Sequence, residues 1–241
     1  MTTLGIIQAR MGSTRLPGKV LRRLGGRSVL DRVVHAARES GILDDLVVAT
    51  TIEPDDDAVV AECERIGVAC HRGPVDDVLT RFLGVLETRS PDTVLRFTAD
   101  CPLLDPHLVR RAARVFEASG VDYLTTSITR TLPRGLDVEV VRASVLKEID
   151  KLAYDHHRTH VTSYIYSHPA DFDVIGLTAQ PDLSYLRLTL DTEDDWKLIE
   201  SVIDHFGDEP VAIRAVAAWL DEQPELAALN AHVRQKELDQ A

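Results

Sequence analysis

An apolar segment followed at once by a basic, glycine-containing loop, LGIIQARMGSTRLPGK at residues 4–19, decides how the chain is interpreted. Leu4 to Gln8 has the pattern of a buried strand. The loop after it carries three cations, Arg10, Arg15 and Lys19. Because ligands bind beyond the carboxyl ends of strands in open parallel sheets, these cations are well placed to bind an anion. The segment therefore predicts an anion site at the edge of an α/β sheet.

Strand-like and helix-like patterns alternate along the chain, which predicts a mostly parallel sheet with helices on both faces. The predicted strands are Leu4–Gln8, Leu46–Thr51, Val68–His71, Thr93–Thr98, Tyr123–Thr126, Val138–Val141, Phe172–Leu177 and Leu186–Leu190. The predicted helices are Ser28–Ser40, Asp55–Ile66, Val75–Glu87, Pro106–Ser119, Ala143–Leu152, His156–Ser167, Thr192–Phe206 and one or two within Ala215–Glu237, interrupted at Pro224. We predict one α/β/α sandwich domain over residues 1–241, with residues 125–180 as an insertion.

Composition narrows the classes of function. The net charge of −12 argues against a nucleic-acid-binding surface, which is normally basic. The three cysteines, an odd number without a Cys-x-x-Cys pair, favour a reducing cytoplasm over a disulfide framework or a structural zinc site. We find neither a signal-peptide pattern nor an apolar run approaching the ~18 residues of a membrane span. These features predict a cytoplasmic protein that binds neither membrane nor nucleic acid.

The basic loop matches neither of two common phosphate-binding motifs. A Walker A motif has four residues between its glycines, whereas five separate Gly12 from Gly18, and Val20 stands where that motif has Ser or Thr. The Rossmann glycine pattern is also absent. Ser13 and Thr14 add hydroxyl donors, and the glycines allow close approach of a ligand to the backbone. A basic surface loop is the better interpretation of any single cation here, but the whole block predicts a triphosphate site.

Two carboxylates follow predicted strands and are candidates for a metal site. Asp100 comes after Thr93–Thr98, and Asp191 ends Leu186–Leu190. Together they predict an Mg2+ site, because Mg2+ prefers hard oxygen ligands. For each alone, a helix N-cap is about as good an explanation, and we assign that role to Asp105 before Pro106.

The run Asp55–Asp57 allows a second interpretation of the metal chemistry, as the D-x-D of a glycosyltransferase. An acidic first turn of a helix is the better explanation, because the helix dipole favours negative charge there.

The stretch IIQARMGSTRLPGKVL resembles the signature of the CMP-sugar synthetases, most closely the cytidylyltransferases related to the spore-coat polysaccharide protein SpsF. The resemblance spans about residues 4–200 and continues in order through His71–Gly73, Asp76–Leu79, Arg96–Leu103, Gly135–Glu139 and Leu186–Thr192. It implies a nucleotide-diphospho-sugar transferase fold, similar to that of GT-A glycosyltransferases. It also implies Mg2+-dependent transfer of CMP from CTP to a sugar or sugar acid, with release of pyrophosphate, in bacterial surface or secondary-metabolite glycan synthesis.

The resemblance also implies a role for particular residues. The catalytic cations would be Arg10, Arg15 and Lys19, with Asp100 and Asp191 as the metal ligands. The nucleotide-binding residues would be Gln8, Ala9, Arg10, Gly12, Ser13, Thr14, Arg72 and Asp77. The acceptor-binding residues would be Asp137, Glu139, Arg158 and His160. We expect Asp137 and Glu139 to share one face of a strand. The family also tends to form homodimers through the inserted region.

Several alternatives remain open at this stage. The family commonly has Glu at the position of Thr159, so the acceptor is less constrained than the nucleotide. His156 and His160 could form an i, i+4 metal pair, although no third ligand accompanies them. The residues alone do not distinguish CTP from another nucleotide. They also leave a glycosyltransferase, or a non-catalytic nucleotide-binding partner, as rivals.

Overall fold

The computed structural model of the protein describes residues 1–235, and the end of the predicted tail at residues 236–237 lies outside them. The strands are β1 (Thr3–Gln8), β2 (Arg23–Leu24), β3 (Arg27–Ser28), β4 (Asp45–Thr51), β5 (Ala69–Gly73), β6 (Thr93–Thr98), β7 (Tyr123–Thr125), β8 (Glu139–Arg142) and β9 (Val174–Gly176). The α-helices are α1 (Val29–Glu39), α2 (Asp57–Arg65), α3 (Val78–Arg89), α4 (Pro106–Ser119), α5 (Ala143–Ile149), α6 (His156–Thr159), α7 (Ser163–Ser167), α8 (Glu193–Phe206), α9 (Ile213–Asp221) and α10 (Pro224–Ala227). Two short 3-10 helices cover Lys19–Leu21 and Pro54–Asp56.

Seven of these strands form one sheet in the order β5-β4-β1-β6-β8-β7-β9. Strands β5, β4, β1 and β6 are parallel, whereas β8 runs antiparallel to both β6 and β7. Gln8, the last residue of β1, lies opposite Ala49 of β4 and Thr98 of β6. The carboxyl ends of these strands therefore meet at one edge of the sheet, next to the basic loop.

The central strands are buried on both faces, as strands between two helical layers must be. Ile6 and Ile7 of β1 are both fully buried, yet they belong to different core clusters because successive strand residues point to opposite faces. Apolar residues of α1, α4, α8 and α9 form the cluster on one face, and those of α3 and α5 form the other. The predicted α/β/α sandwich with a mostly parallel sheet is confirmed.

Local capping signals explain where several helices begin. Asp105 accepts hydrogen bonds from the backbone N–H groups of His107 and Leu108, and Pro106 opens α4, as predicted. Thr192 and Asp195 form a reciprocal capping box at the start of α8. Most predicted elements end within about three residues of the observed ones.

Leu186–Leu190 is not a strand, which corrects the prediction. Its only bridge within the described residues joins Arg187 to Arg134. The N–H of Leu188 donates to Arg134 O at 2.7 Å, and that of Leu190 donates to Asp100 O at 2.9 Å. An apolar run predicts an extended, buried segment, but this one divides its hydrogen bonds between two loops and so forms no ladder.

Two other predictions in the second half need correction. The predicted helix His156–Ser167 is two short helices, α6 and α7, and between them Val161 has a positive φ of 37°. Such a backbone conformation interrupts a right-handed helix. Asp137 precedes β8, so it does not share a strand with Glu139.

Residues 125–180 contribute β8 and β9 to the main sheet and carry α5, α6 and α7. Their assignment as an inserted unit for acceptor binding or dimerisation stays a prediction. Within residues 1–235, no helix combines the length and apolar character needed to cross a membrane.

Candidate nucleotide-binding site

The basic loop after β1 is held in a defined shape by its own backbone. Met11 O accepts hydrogen bonds from the N–H groups of Ser13 and Gly18, at 2.8 and 3.2 Å. Gly18 has a φ of 65°, a conformation that favours glycine. At Gly12, by contrast, an added Cβ would meet nothing within 4 Å, so the fold itself does not require glycine there.

A buried carboxylate outside the loop anchors it to the sheet. Asp56 is 2% exposed and accepts a hydrogen bond from Met11 N at 2.7 Å and another from Thr51 N at 3.1 Å. Asp57 begins α2 and pairs with Arg72. Asp55 and Asp56 lie in the 3-10 helix that leads into α2, and Asp57 lies in the first turn of α2, so the run is an acidic helix start as we favoured over a D-x-D motif. Asp56 has a second role in positioning the loop.

Lys19 lies between the two carboxylates predicted to bind metal. Its Nζ is 2.7 Å from Asp100 Oδ2 and 2.9 Å from Asp191 Oδ1, and it donates to Leu190 O at 2.6 Å. Burial alone would lower the pKa of Lys19, but the two carboxylates raise it above its ordinary value of 10.5. Lys19 is therefore a firmly protonated cation at the floor of the site.

Asp191 is fixed by a network of charged groups. Arg15 and Arg187 approach its Oδ2 at 3.0 and 2.6 Å. The fully buried Asp195 accepts hydrogen bonds from Arg187 Nε at 2.8 Å and from Asp191 N at 2.9 Å. Burial alone would raise the pKa of Asp191, but Lys19, Arg15 and Arg187 lower it below its ordinary value of 3.8.

These groups line one cleft of about 330 Å³ at the carboxyl edge of the sheet. From the loop it includes Gln8, Ala9, Arg10, Gly12, Ser13, Thr14, Arg15 and Lys19. Asp100 and Asp191 line the same cleft. The cleft therefore brings together the cations of the predicted triphosphate site and the carboxylates of the predicted metal site.

The carboxylates suit a divalent cation that also takes oxygen ligands from a phosphate. Asp100 Oδ2 and Asp191 Oδ1 both lie within 3 Å of the same atom, Lys19 Nζ, so they converge on one point. Among residues 1–235 there is no cluster of three or more His, Cys, Asp or Glu that could hold a metal. Mg2+ commonly binds through one or two carboxylates plus substrate phosphates and water, so the donor set fits.

Comparison with known proteins identifies the family of the chain. The family model described as "Cytidylyltransferase" matches residues 4–236. The chain belongs to the cytidylyltransferase family. It is therefore a nucleotidyltransferase.

Some relatives of this cytidylyltransferase match it over nearly its whole length, and others over about half of it. The spore coat polysaccharide biosynthesis protein SpsF of Bacillus subtilis is 38% identical over 93% of this chain and 96% of its own. A 3-deoxy-manno-octulosonate cytidylyltransferase of Mesorhizobium japonicum is 34% identical over 59% of this chain and 55% of its own. The solved structure of a cytidylyltransferase from Leptospira borgpetersenii superposes with a TM-score of 0.91 at 28% identity, covering 98% of this chain and 99% of the other.

Two of the predicted nucleotide-binding residues, Arg72 and Asp77, do not line the cleft. Arg72 donates to the carbonyls of Thr51 and Glu53 and pairs with Asp57. Asp77 caps α3 and pairs with Arg158 at 2.6 Å. Arg72 therefore holds the segment after β4, and Asp77 holds the start of α3 and Arg158.

The four predicted acceptor residues are also dispersed. His160 lines the cleft, next to Thr159. Glu139 pairs with Arg96 and accepts a hydrogen bond from Tyr123 Oη, and Asp137 pairs with Arg130.

Arg158 pairs with Asp150 as well as Asp77, so its charge is already shared between two carboxylates. Thus only His160 of the predicted acceptor set lies at the wall of the cleft.

Several lining residues were missed in the sequence. Val78 and Arg81 lie one helical turn apart at the start of α3, a spacing that places both on one face. The spacing could be recognised in the sequence, but nothing in the sequence indicates that an arginine on a helix is buried. Gln235 reaches the cleft from the far end of the chain and accepts a hydrogen bond from Arg187. No local pattern identifies such a residue.

Proposed function

We propose that the protein transfers the cytidylyl group of CTP to a hydroxyl of a sugar or sugar acid and releases pyrophosphate. The observation that carries the proposal is the convergence of Arg10, Arg15 and Lys19 with Asp100 and Asp191 in one cleft. Membership of the cytidylyltransferase family supports CTP as the nucleotide. The names of two relatives, one in polysaccharide biosynthesis and one acting on a sugar acid, support the acceptor class.

In the proposed reaction, an oxygen of the acceptor hydroxyl attacks the α-phosphorus of CTP. The bond from that phosphorus to the oxygen that bridges to the β-phosphate breaks, and its electron pair leaves with pyrophosphate. The hydroxyl proton is released to solvent. Such transfers depend mainly on positioning and charge stabilisation, because the protein has little covalent chemistry to supply.

Each loop cation has a proposed role. Lys19 and Arg15 stabilise the charge that develops on pyrophosphate, and Arg10 binds the triphosphate. When CTP binds, Lys19 is placed to exchange a carboxylate partner for a phosphate oxygen. Gln8, Ala9, Gly12, Ser13 and Thr14 would contribute the remaining nucleotide contacts.

A divalent cation, in our proposal Mg2+, would be held by Asp100 and Asp191. When bound it supplies charge neutralisation at the α-phosphate and lowers the pKa of a nearby hydroxyl. Lys19 pairs with both carboxylates and so holds them toward a common point, while Arg15 and Arg187 also pair with Asp191.

For the acceptor we propose a site along His160 and Thr159, the members of the α6 region that line the cleft. Arg158, Asp137 and Glu139 would act there only by exchanging their present ion-pair partners for the acceptor. Arg72 and Asp77 would similarly shape the base site through the loops that they hold. We further propose that the protein is cytoplasmic and that it forms a homodimer. Size-exclusion chromatography with light scattering would check the dimer.

Pyrophosphate release tests the proposed function. The protein is incubated with Mg2+, each of the four common NTPs, and a panel of sugar acids and neutral sugars, with EDTA as the control. We expect release with CTP, dependent on acceptor and on metal. Release with a different NTP alone would refute CTP, and CTP binding without release across a broad panel would favour a non-catalytic role.

A further inference from the structure

Arg81, on α3, is a buried cation in the wall of the cleft. Its side chain is only 3% exposed. Nη1 donates to Pro74 O at 2.6 Å and to Val75 O at 3.1 Å. Its Nε is buried and has no hydrogen-bond partner in the described part of the chain. The guanidinium is thus held firmly at one end while one of its donors is unused.

The carboxylates nearest to Arg81 are already engaged. Asp56 and Asp77 are the acidic groups that influence its pKa. Asp56 accepts hydrogen bonds from the basic loop and from β4, and Asp77 pairs with Arg158. Over residues 1–235, no carboxylate forms an ion pair with Arg81, and its side chain donates only to backbone carbonyls.

A second cation, Arg10, lies close enough to Arg81 to influence its pKa. Arg10 lines the same cleft, and among residues 1–235 it forms neither an ion pair nor a hydrogen bond. Burial, and then the charge of Arg10, lower the pKa of Arg81 to about 10, so the guanidinium stays charged at neutral pH. Two like charges therefore face one cavity, and one of them is desolvated.

A buried charge that lacks a partner is costly. Groups with perturbed pKa values cluster at functional sites, where a ligand can supply the partner. The neighbouring backbone leaves space for the Arg81 side chain. An added Cβ on Gly73, at the end of β5, would lie 2.7 Å from Arg81 Cγ, so a larger residue there would displace the side chain.

We propose that Arg81 is a nucleotide-binding residue that, together with Arg10, binds a phosphate group of the substrate triphosphate. The inference rests on the proposed function for the class of ligand. The phosphate supplies the missing counter-ion and an acceptor for the unused guanidinium donor. A charge-assisted bond of this kind is among the stronger hydrogen bonds in proteins.

Isothermal titration with inorganic tripolyphosphate, CTP and cytidine tests the proposal. Arg81→Met removes the charge, and Arg81→Gln removes it while keeping an amide donor for the Pro74 and Val75 carbonyls. Arg110→Met is the matched control, because Arg110 also donates to two backbone carbonyls, those of Ser40 and Glu39, but lies away from the cleft.

We expect both Arg81 variants to bind tripolyphosphate and CTP on the order of 10- to 100-fold more weakly, the range for losing one charged hydrogen bond. Binding of cytidine should stay within about twofold of wild type, and so should every ligand in the Arg110 variant. Should Arg81→Met not fold, Arg81→Gln carries the same comparison.

An unchanged Kd for tripolyphosphate in a folded Arg81 variant would overturn the proposal. So would an equal weakening of cytidine, because that pattern indicates general damage to the cleft. Tripolyphosphate has no base, so its binding tests Arg81 even if the protein uses a nucleotide other than CTP. Failure of the CTP proposal and failure of this one are thereby distinguished.

Discussion

At the scale of single residues, Lys19 contacts more groups of the protein than its place in the basic loop predicted. It is 8% exposed and touches Asp100, Asp191 and Leu190 O. A lysine that only contacted phosphate could be removed without harm to the fold. This one also separates two carboxylates, so its loss leaves two like charges facing each other in a partly buried site.

We expect Lys19→Met to depress turnover by orders of magnitude and to lower the free energy of unfolding by about 1–3 kcal/mol at pH 7. This is less than for a fully buried pair, because 27% of the Asp100 side chain is exposed and solvent screens it. Pyrophosphate release and urea denaturation measure the two effects. Lys197→Met, which removes an exposed lysine paired with Asp194, is the control and should change neither.

The stability difference between wild type and Lys19→Met should depend on pH. The lowered pKa of Asp191 contributes stability that is present above 3.8 and lost as pH falls through its folded-state value. The raised pKa of Lys19 contributes stability that is present below 10.5 and lost as pH rises through its folded-state value. The difference should therefore be level from about pH 5 to 9 and shrink below about pH 4. A difference that persisted unchanged at pH 2 would contradict the ion-pair explanation.

At the scale of elements, the segment that delivers Asp191 depends on a close backbone contact. Gly135 has a φ of 103°, and an added Cβ would lie 2.4 Å from Leu188 O. The neighbouring Arg134 exchanges backbone hydrogen bonds with Leu186 and Leu188. Glycine at residue 135 thus lets an irregular segment pack where a strand was predicted.

Gly135→Ala should lower the free energy of unfolding by more than about 1 kcal/mol, because both the positive φ and the space exclude a side chain. It should also reduce turnover, since Leu190 and Asp191 would move with the segment. Gly12→Ala is the contrasting variant, with no atom within 4 Å of its added Cβ and an expected unchanged melting temperature. Equal melting temperatures for the two variants would show that the contact is dispensable.

At the scale of the whole molecule, the last described residues complete the site formed by the first ones. Asn230 is 2% exposed, and its Nδ2 donates to Arg187 O at 2.9 Å and to Asp195 Oδ1 at 2.8 Å. Asp195 and Arg187 in turn hold Asp191. The C-terminal segment is therefore part of the support for a proposed metal ligand.

Asn230→Ala should lower the free energy of unfolding by about 1–3 kcal/mol, because it leaves two buried acceptors without this donor. We also expect a higher metal concentration for half-maximal pyrophosphate release, since Asp191 loses indirect support. Gln223→Ala, at an exposed position of the same C-terminal region, is the control. A variant with reduced stability but unchanged metal dependence would limit Asn230 to a structural role.

Much of the fold was predictable because its signals are local. The predicted bounds of the strand Thr93–Thr98 and the helix Pro106–Ser119 were correct. An apolar β-rich run and an Asp-Pro cap each consist of adjacent residues, so both can be recognised in the sequence. The strand predicted at Leu186–Leu190 was wrong because its hydrogen bonding depends on residues distant in the sequence. Its apolar residues predict burial, but only its distant partners, Arg134 and Asp100, decide that no ladder forms.

The candidate site also has a part that the sequence predicted and a part that it did not. The basic loop from Gln8 to Lys19 was identified from the sequence because its charges and glycines lie together, and the order of strand and loop implied its edge of the sheet. Only the tertiary structure showed that Lys19 pairs directly with Asp191 and that Asn230 donates to Asp195. Within residues 1–235 it also leaves Arg81 without a paired carboxylate. Spacing along the chain records which residues are neighbours in a turn or a strand. Burial and charge balance depend on all the groups that the fold brings together, so they were decided only when the chain had folded.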